Sequence, residues 1–182
     1  PRQSVWDRHP AALDDFRELG QALVERQVLL DVLADESVSL KRLSDYPAIV
    51  LPDATALTAR QLTSLQEYAA TGGTVFVRGR IAAFGESGEV RPDLKLDAAI
   101  PVAGEVTVAA EAIQSAIVKH GSSRIQAPWT IRATAYSQPS RTVLHLVNYA
   151  RNETPYRKLK GPELERPVPA ENIVVELRLP VA

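Results

Sequence analysis

Charged residues stand where two apolar runs end. Pro52–Asp53 follows Ala48–Leu51, and Arg78–Gly79–Arg80 follows Thr74–Val77. Both runs read as buried strands, and open α/β sheets hold their ligands where loops leave the C-terminal ends of such strands. Asp53, Arg78, Arg80 and Glu86 are therefore the candidate lining of a ligand crevice. The competing reading makes them solvated loop charges or local ion pairs. Gly79 reads as a turn requirement rather than a phosphate cradle, because no glycine-rich nucleotide fingerprint follows any strand. A hydrolase of this layout needs a nucleophile on the sharp turn after a strand, with a histidine base beside it. The turn after Val77 carries arginine and glycine, with neither serine nor cysteine. No residue is assigned a catalytic role.

The remaining chemistry-bearing residues are scattered. His9 precedes a helix, and His120 falls in a last helical turn, where a cation suits the dipole. His145 lies in an apolar strand and fits a hydrogen-bonded core residue better than a base or ligand. No histidine pair has metal-ligand spacing, and no cofactor is implied. The acidic pairs Asp14–Asp15 and Asp35–Glu36 read as solvated. Trp6 and Trp129 have the rings to stack on a sugar, though a core or interface role is the more usual one. Asn152–Glu153–Thr154 matches a glycosylation sequon that the following Pro155 disfavours.

Bulk composition narrows the partners. The 182 residues are 45% hydrophobic and 24% charged, and 21 basic against 22 acidic side chains leave a net charge of −1. That balance gives no global field to attract nucleic acid or an acidic membrane surface. No apolar run approaches the ~20 residues of a membrane span. Cysteine is absent, which removes disulfides, thiolate nucleophiles and zinc–thiolate sites and leaves the compartment unread. Methionine is absent too, even at position 1, so the chain is expected to be an excerpt of a longer protein.

The elements that position the charged loops follow from periodicity. Asp7 and Pro10 mark a helix start, and Leu13, Phe16, Leu19 and Leu23 form its apolar stripe. Val28–Leu33 reads as a buried strand, and Asp35–Asp45 as a loop with a helical turn. Thr58 and Gln61 make a capping box, with Leu57 and Leu62 at staple spacing. Leu62, Leu65 and Tyr68 supply the buried face of that helix, and Gly72–Gly73 ends it. Strand, helix, strand within thirty residues predicts a βαβ unit with parallel, neighbouring strands. The pattern dissolves from Gly79 to Pro101. Glu105–Val108 is expected as a short strand, and Ala109–Lys119 as a helix with Ala112, Ile113, Ala116 and Ile117 on one side and Gly121 as its stop. Thr130–Tyr136, Thr142–Tyr149 and Asn172–Leu179 then read as strands, divided by a charged, proline-rich loop over 151–170.

The stretch Leu43–Pro52 (LSDYPAIVLP), the helix from Leu57–Thr58 to Glu67–Tyr68, and Gly72–Gly73–Thr74–Val75 together resemble the glutamine-amidotransferase-like domain of glycoside hydrolases, known as the β-galactosidase trimerisation domain. The helix Ala11–Glu25 and the run Val28–Leu33 fit the segment before it. Val143–Tyr149 resembles the β-rich domain that follows it. The resemblance implies an α/β fold over 1–110, with a flavodoxin-like parallel sheet and flanking helices of the class I glutamine-amidotransferase type. A small β-sandwich-like antiparallel segment over 111–182 would follow. True amidotransferases of this type use a Cys-His-Glu triad, which a chain without cysteine lacks. The first strand of the fold, expected before Trp6, is also missing.

In such enzymes a separate (β/α)-barrel holds the catalytic carboxylates. The resemblance therefore implies a non-catalytic accessory or oligomerisation module, partnered by copies of itself and by the catalytic barrel of the same parent chain. Two other readings stay open. One is a carbohydrate-binding module using Trp6, Trp129 or the strand-end loops. The other is a stand-alone enzyme with a carboxylate site at Asp53 and Glu86.

Overall fold

The computed structural model describes residues 11–85, 88–91, 96–119, 122–153 and 165–178. They fall into two compact units, the first formed by 1–22 and 31–120, the second by 23–30 and 121–182. The fold is α/β followed by a β segment.

The first unit is built around a parallel sheet of β1 (Ala48–Pro52), β2 (Thr74–Arg78) and β3 (Ala99–Pro101), in that order. The helix α1 (Ala11–Glu25) begins in this unit and ends in the second. A 3-10 turn at Asp35–Ser37 and the single helical turn α2 (Leu40–Leu43) lead to β1. The helix α3 (Ala59–Ala70) crosses from β1 to β2, and α4 (Val106–Lys119) follows β3.

Local chemistry accounts for α3. The Thr58 hydroxyl accepts from Gln61 N, and the Gln61 side chain accepts from Thr58 N, so two otherwise orphaned donors are satisfied. Gly72 carries the left-handed turn at the C-terminus, with φ +94°. Gly73 is needed for a different reason: a Cβ there would fall 2.2 Å from the Tyr68 ring. That ring is buried, and its hydroxyl donates to Tyr46 O at 2.8 Å.

Val75 and Phe76 are consecutive in β2 and both are buried. Successive strand residues point to opposite faces, so the sheet is covered on both sides, as parallel sheets require. On the Val75 face, Leu43, Leu57, Leu62, Leu65 and Tyr68 form one core cluster with Ala82 and Leu96. Each large aliphatic buried in it stabilises the fold by about 1.5–3 kcal/mol.

Among its described residues the second unit holds three antiparallel pairs: β4 (Arg124–Gln126) with β9 (Val174–Glu176), β5 (Ile131–Gln138) with β6 (Arg141–Asn148), and β7 (Arg151–Glu153) with β8 (Glu165–Pro167). The β5–β6 hairpin dominates it. Its base is tied by Gln27, a residue at φ +56° just past the end of α1. The Gln27 amide donates to Glu25 O, Pro128 O and Ile131 O.

Several expectations need correction. Val28–Leu33 forms no strand, and Leu30 and Val32 are exposed. A strand needs a hydrogen-bonded neighbour, and among the described residues β1 pairs with β2 alone. Glu105–Val108 is no strand either: α4 already starts at Val106, with Ala109 N donating to Glu105 O. The buried face of α4 is Ala109, Ala110 and Ile113, while Ala112 is exposed. The apolar stripe of α1 divides, with Leu19 and Leu23 buried and Leu13 and Phe16 exposed. The helix start at Asp7 and Pro10, and the stop at Gly121, lie outside the described residues.

Candidate functional site

The loops after β1 and β2 meet, as their positions require, and they bind each other. Asp53 N donates to Arg78 O at 2.6 Å, Ala82 N to Ala54 O at 2.9 Å, and Phe84 N to Thr55 O at 2.9 Å. A parallel bridge joins Ala56 to Phe84. The β1–β2 pairing is thus continued past the strand ends by hydrogen bonds between the two loops.

Asp53 governs this junction. It holds the left-handed backbone at φ +41°, a region that aspartate tolerates better than most residues. Its Oδ1 accepts from Arg80 N at 2.9 Å and lies 3.7 Å from Arg80 Nε. Gly79, at φ +73°, passes directly beneath: a Cβ on it would sit 2.8 Å from Asp53 Oδ1. Both the backbone angle and the close approach demand glycine there.

Arg78 points away from Asp53. Its Nε donates to Asp15 Oδ1 of α1 at 2.6 Å, and its Nη1 donates to Gly104 O at 2.8 Å. The pair is largely buried, with side-chain exposures of 15% for Arg78 and 22% for Asp15. Asp15 is therefore a structural anion rather than a solvated one, because β2 delivers a guanidinium to it. Asp35 and Glu36 are exposed.

Of the four predicted lining residues, the structure brings Asp53 and Arg80 together and turns Arg78 to a different partner. Glu86 lies outside the described residues, as do Trp6, His9 and His120. Among the described residues, no group of three or more histidine and carboxylate side chains is placed to hold a metal ion.

The aromatic candidates lie in the second unit. Trp129 is exposed, so of the expected core or interface roles the core one does not hold, and the Arg132 guanidinium sits over its ring at 5.9 Å. His145 is exposed rather than in the core. The pairing of β6 explains this: His145 is opposite Thr134, on the outward side of the hairpin, whereas Leu144 and Leu146 are opposite Ala135 and Ala133 on the other side. Tyr136 meets His145 edge-on, with ring centroids 5.5 Å apart. Sequence reasoning overlooked Arg132, Tyr136 and Tyr149. The alternation Arg141, Val143, His145, Val147, Tyr149 was a signal for Tyr149; Arg132 and Tyr136 join that face only through the register, opposite Val147 and Val143.

No family model matches the sequence, and neither does any curated protein. A solved structure does resemble it, an apo exo-carrageenase GH42 from Bacteroides ovatus, with a TM-score of 0.53 at 14% identity. The likeness is one of fold. It covers 75% of this chain but only 20% of the exo-carrageenase chain, so the present sequence spans about a fifth of that enzyme.

Proposed function

We propose that this chain is a non-catalytic, self-associating accessory module of a larger glycoside hydrolase, whose catalytic carboxylates reside in a barrel elsewhere in the parent chain. The observation that carries the reading is the closure of the strand-end loops. Asp53, Arg78 and Arg80 are engaged in holding β1, β2 and α1 together. The Arg78 guanidinium is thereby taken up by Asp15 and Gly104, within the fold.

Two features support association. Among the described residues β1 has a neighbour on one side only, and its sequence Ala-Ile-Val-Leu-Pro carries none of the charges that usually guard an open edge. Leu13 and Phe16, one turn apart on α1, are exposed. The fold it shares with part of a glycoside hydrolase is consistent with a module within such an enzyme.

Sedimentation equilibrium of the 182-residue chain tests the proposal. A mass that rises with concentration to a multiple of 19.9 kDa is expected. A strict monomer up to about 100 µM, far above the micromolar range of weak specific pairs, would contradict self-association.

A further inference from the structure

The two faces of the β5–β6 hairpin differ in kind. Directly opposed residues of an antiparallel pair share a face, so the register separates them cleanly. Ile131, Ala133, Ala135 and Ser137 share one face with Thr142, Leu144, Leu146 and Asn148; Ile131 is buried there and Leu146 is exposed. The other carries Arg132, Thr134, Tyr136 and Gln138 from β5 and Arg141, Val143, His145 and Val147 from β6. Tyr149, whose N donates to Thr130 O, extends that row.

This second face is turned to solvent yet rich in aromatic area. Tyr136 is 56% exposed, Tyr149 60%, and the adjoining Trp129 66%. Singly exposed aromatics need no explanation, but several along one ribbon mark a contact surface. The rings are also held in place before any ligand arrives. Arg132 lies over Trp129, donates through Nη1 to the Trp129 carbonyl, and is anchored by Glu25 Oε1 at 3.3 Å. Tyr136 is braced edge-on by His145. Such preorganisation lowers the entropy lost on binding.

Charge is the second discriminating feature. The chain as a whole is balanced, yet β5 and β6 contain two arginines and a histidine and no carboxylate. Arg141 is fixed at the turn end, where its Nε donates to Gln138 Oε1 at 2.5 Å. Arg132 and Tyr136 are four residues apart, about 14 Å at the usual strand rise of ~3.4 Å per residue. The face therefore offers spaced flat rings with sparse cations between and beyond them.

We propose that this outward face binds an acidic polysaccharide, a chain of pyranose rings bearing sulfate or carboxylate groups. The apolar faces of the sugar rings stack on Trp129, Tyr136 and Tyr149. Arg141 meets the anionic substituents, and His145 offers a ring N–H donor beside them. A single-stranded nucleic acid would also stack, but it needs a cationic groove that follows every phosphate, and this ribbon has too few charges to supply one. The binding is independent of the self-association proposed above, and either can fail without the other.

Affinity electrophoresis of the full 182-residue chain tests it, in gels holding a sulfated galactan, a polyuronate or a neutral galactan. Retardation by at least one acidic polymer, and less by the neutral one, is expected; the two acidic gels distinguish sulfate from carboxylate recognition. Trp129→Ala and Tyr136→Ala should each weaken retardation about tenfold, the scale of losing one stacked ring. Tyr136→Phe, which keeps the ring, should retain it, and Arg141→Gln should weaken it for the acidic polymers alone. Unaltered circular dichroism of the exposed-site variants separates binding loss from misfolding. Equal mobility in all gels would overturn the proposal, as would full retardation of both alanine variants. Competition by oligothymidylate as strong as by the polysaccharide, or a change of oligomeric mass in the alanine variants without a change in retardation, would also overturn it.

Discussion

Arg78 Nε lies 2.6 Å from Asp15 Oδ1, joining the C-terminal end of β2 to the side of α1 across 63 residues of sequence. Both partners are mostly withdrawn from water, so losing either leaves the other charge poorly solvated. Arg78→Ala and Asp15→Ala should each destabilise the fold by about 1–3 kcal/mol. Urea denaturation reads this as a lower midpoint, and the double variant should lose less than the sum of the two. Additive losses would mean that the contact contributes nothing.

Gly79 is expected to tolerate no side chain. Gly79→Ala places a methyl against Asp53 Oδ1 at an unfavourable φ, a combination that costs about 1–3 kcal/mol. Adding Asp53→Ala removes the clash but also the acceptor for Arg80 N, so the double variant should recover only part of the loss. Thermal unfolding of the three variants measures it, and a neutral Gly79→Ala would show that the loop is free to move.

Tyr68 sets an alkaline limit. Burial raises its phenol above the ordinary tyrosine value of ~10, because the ionised form is disfavoured inside. A group whose folded pKa is raised contributes stability that is complete below the unfolded value and lost as pH climbs above it. The midpoint of urea unfolding should therefore be flat from pH 7 to 9 and fall above about pH 10. Tyr68→Phe should flatten the alkaline decline, at the expense of about 1 kcal/mol at neutral pH for the lost bond to Tyr46 O.

Thr58→Ala opens the capping box of α3. A loss of about 1 kcal/mol is expected, and Thr58→Ser should restore most of it. Chemical denaturation distinguishes the two variants.

The parts of the fold that are legible in sequence are those specified locally. Thr58, Gln61, Gly72 and the apolar runs at 48–51 and 74–77 lie within thirty residues, and each points to the same βαβ unit. Val28–Leu33 has strand composition but pairs with no strand among the described residues, and partner availability is not a local property. β3 is three residues ending at Pro101, too short to show a period. At the candidate site, the meeting of Asp53 and Arg80 follows from strand ends alone. The pairing of Arg78 with Asp15 and Gly104, both remote in sequence, was invisible to spacing. His145 was misread because its apolar neighbours outweighed the two-residue alternation that places it outward.

The most direct test of the central claim is glycoside hydrolysis by the purified 182-residue chain, followed as reducing sugar released from sulfated and neutral galactans. Release no faster than in buffer is expected, with Asp53→Ala indistinguishable from the unaltered chain. Sustained turnover that Asp53→Ala abolishes would show that the strand ends of β1 and β2 form an active site and that the accessory-module reading is wrong.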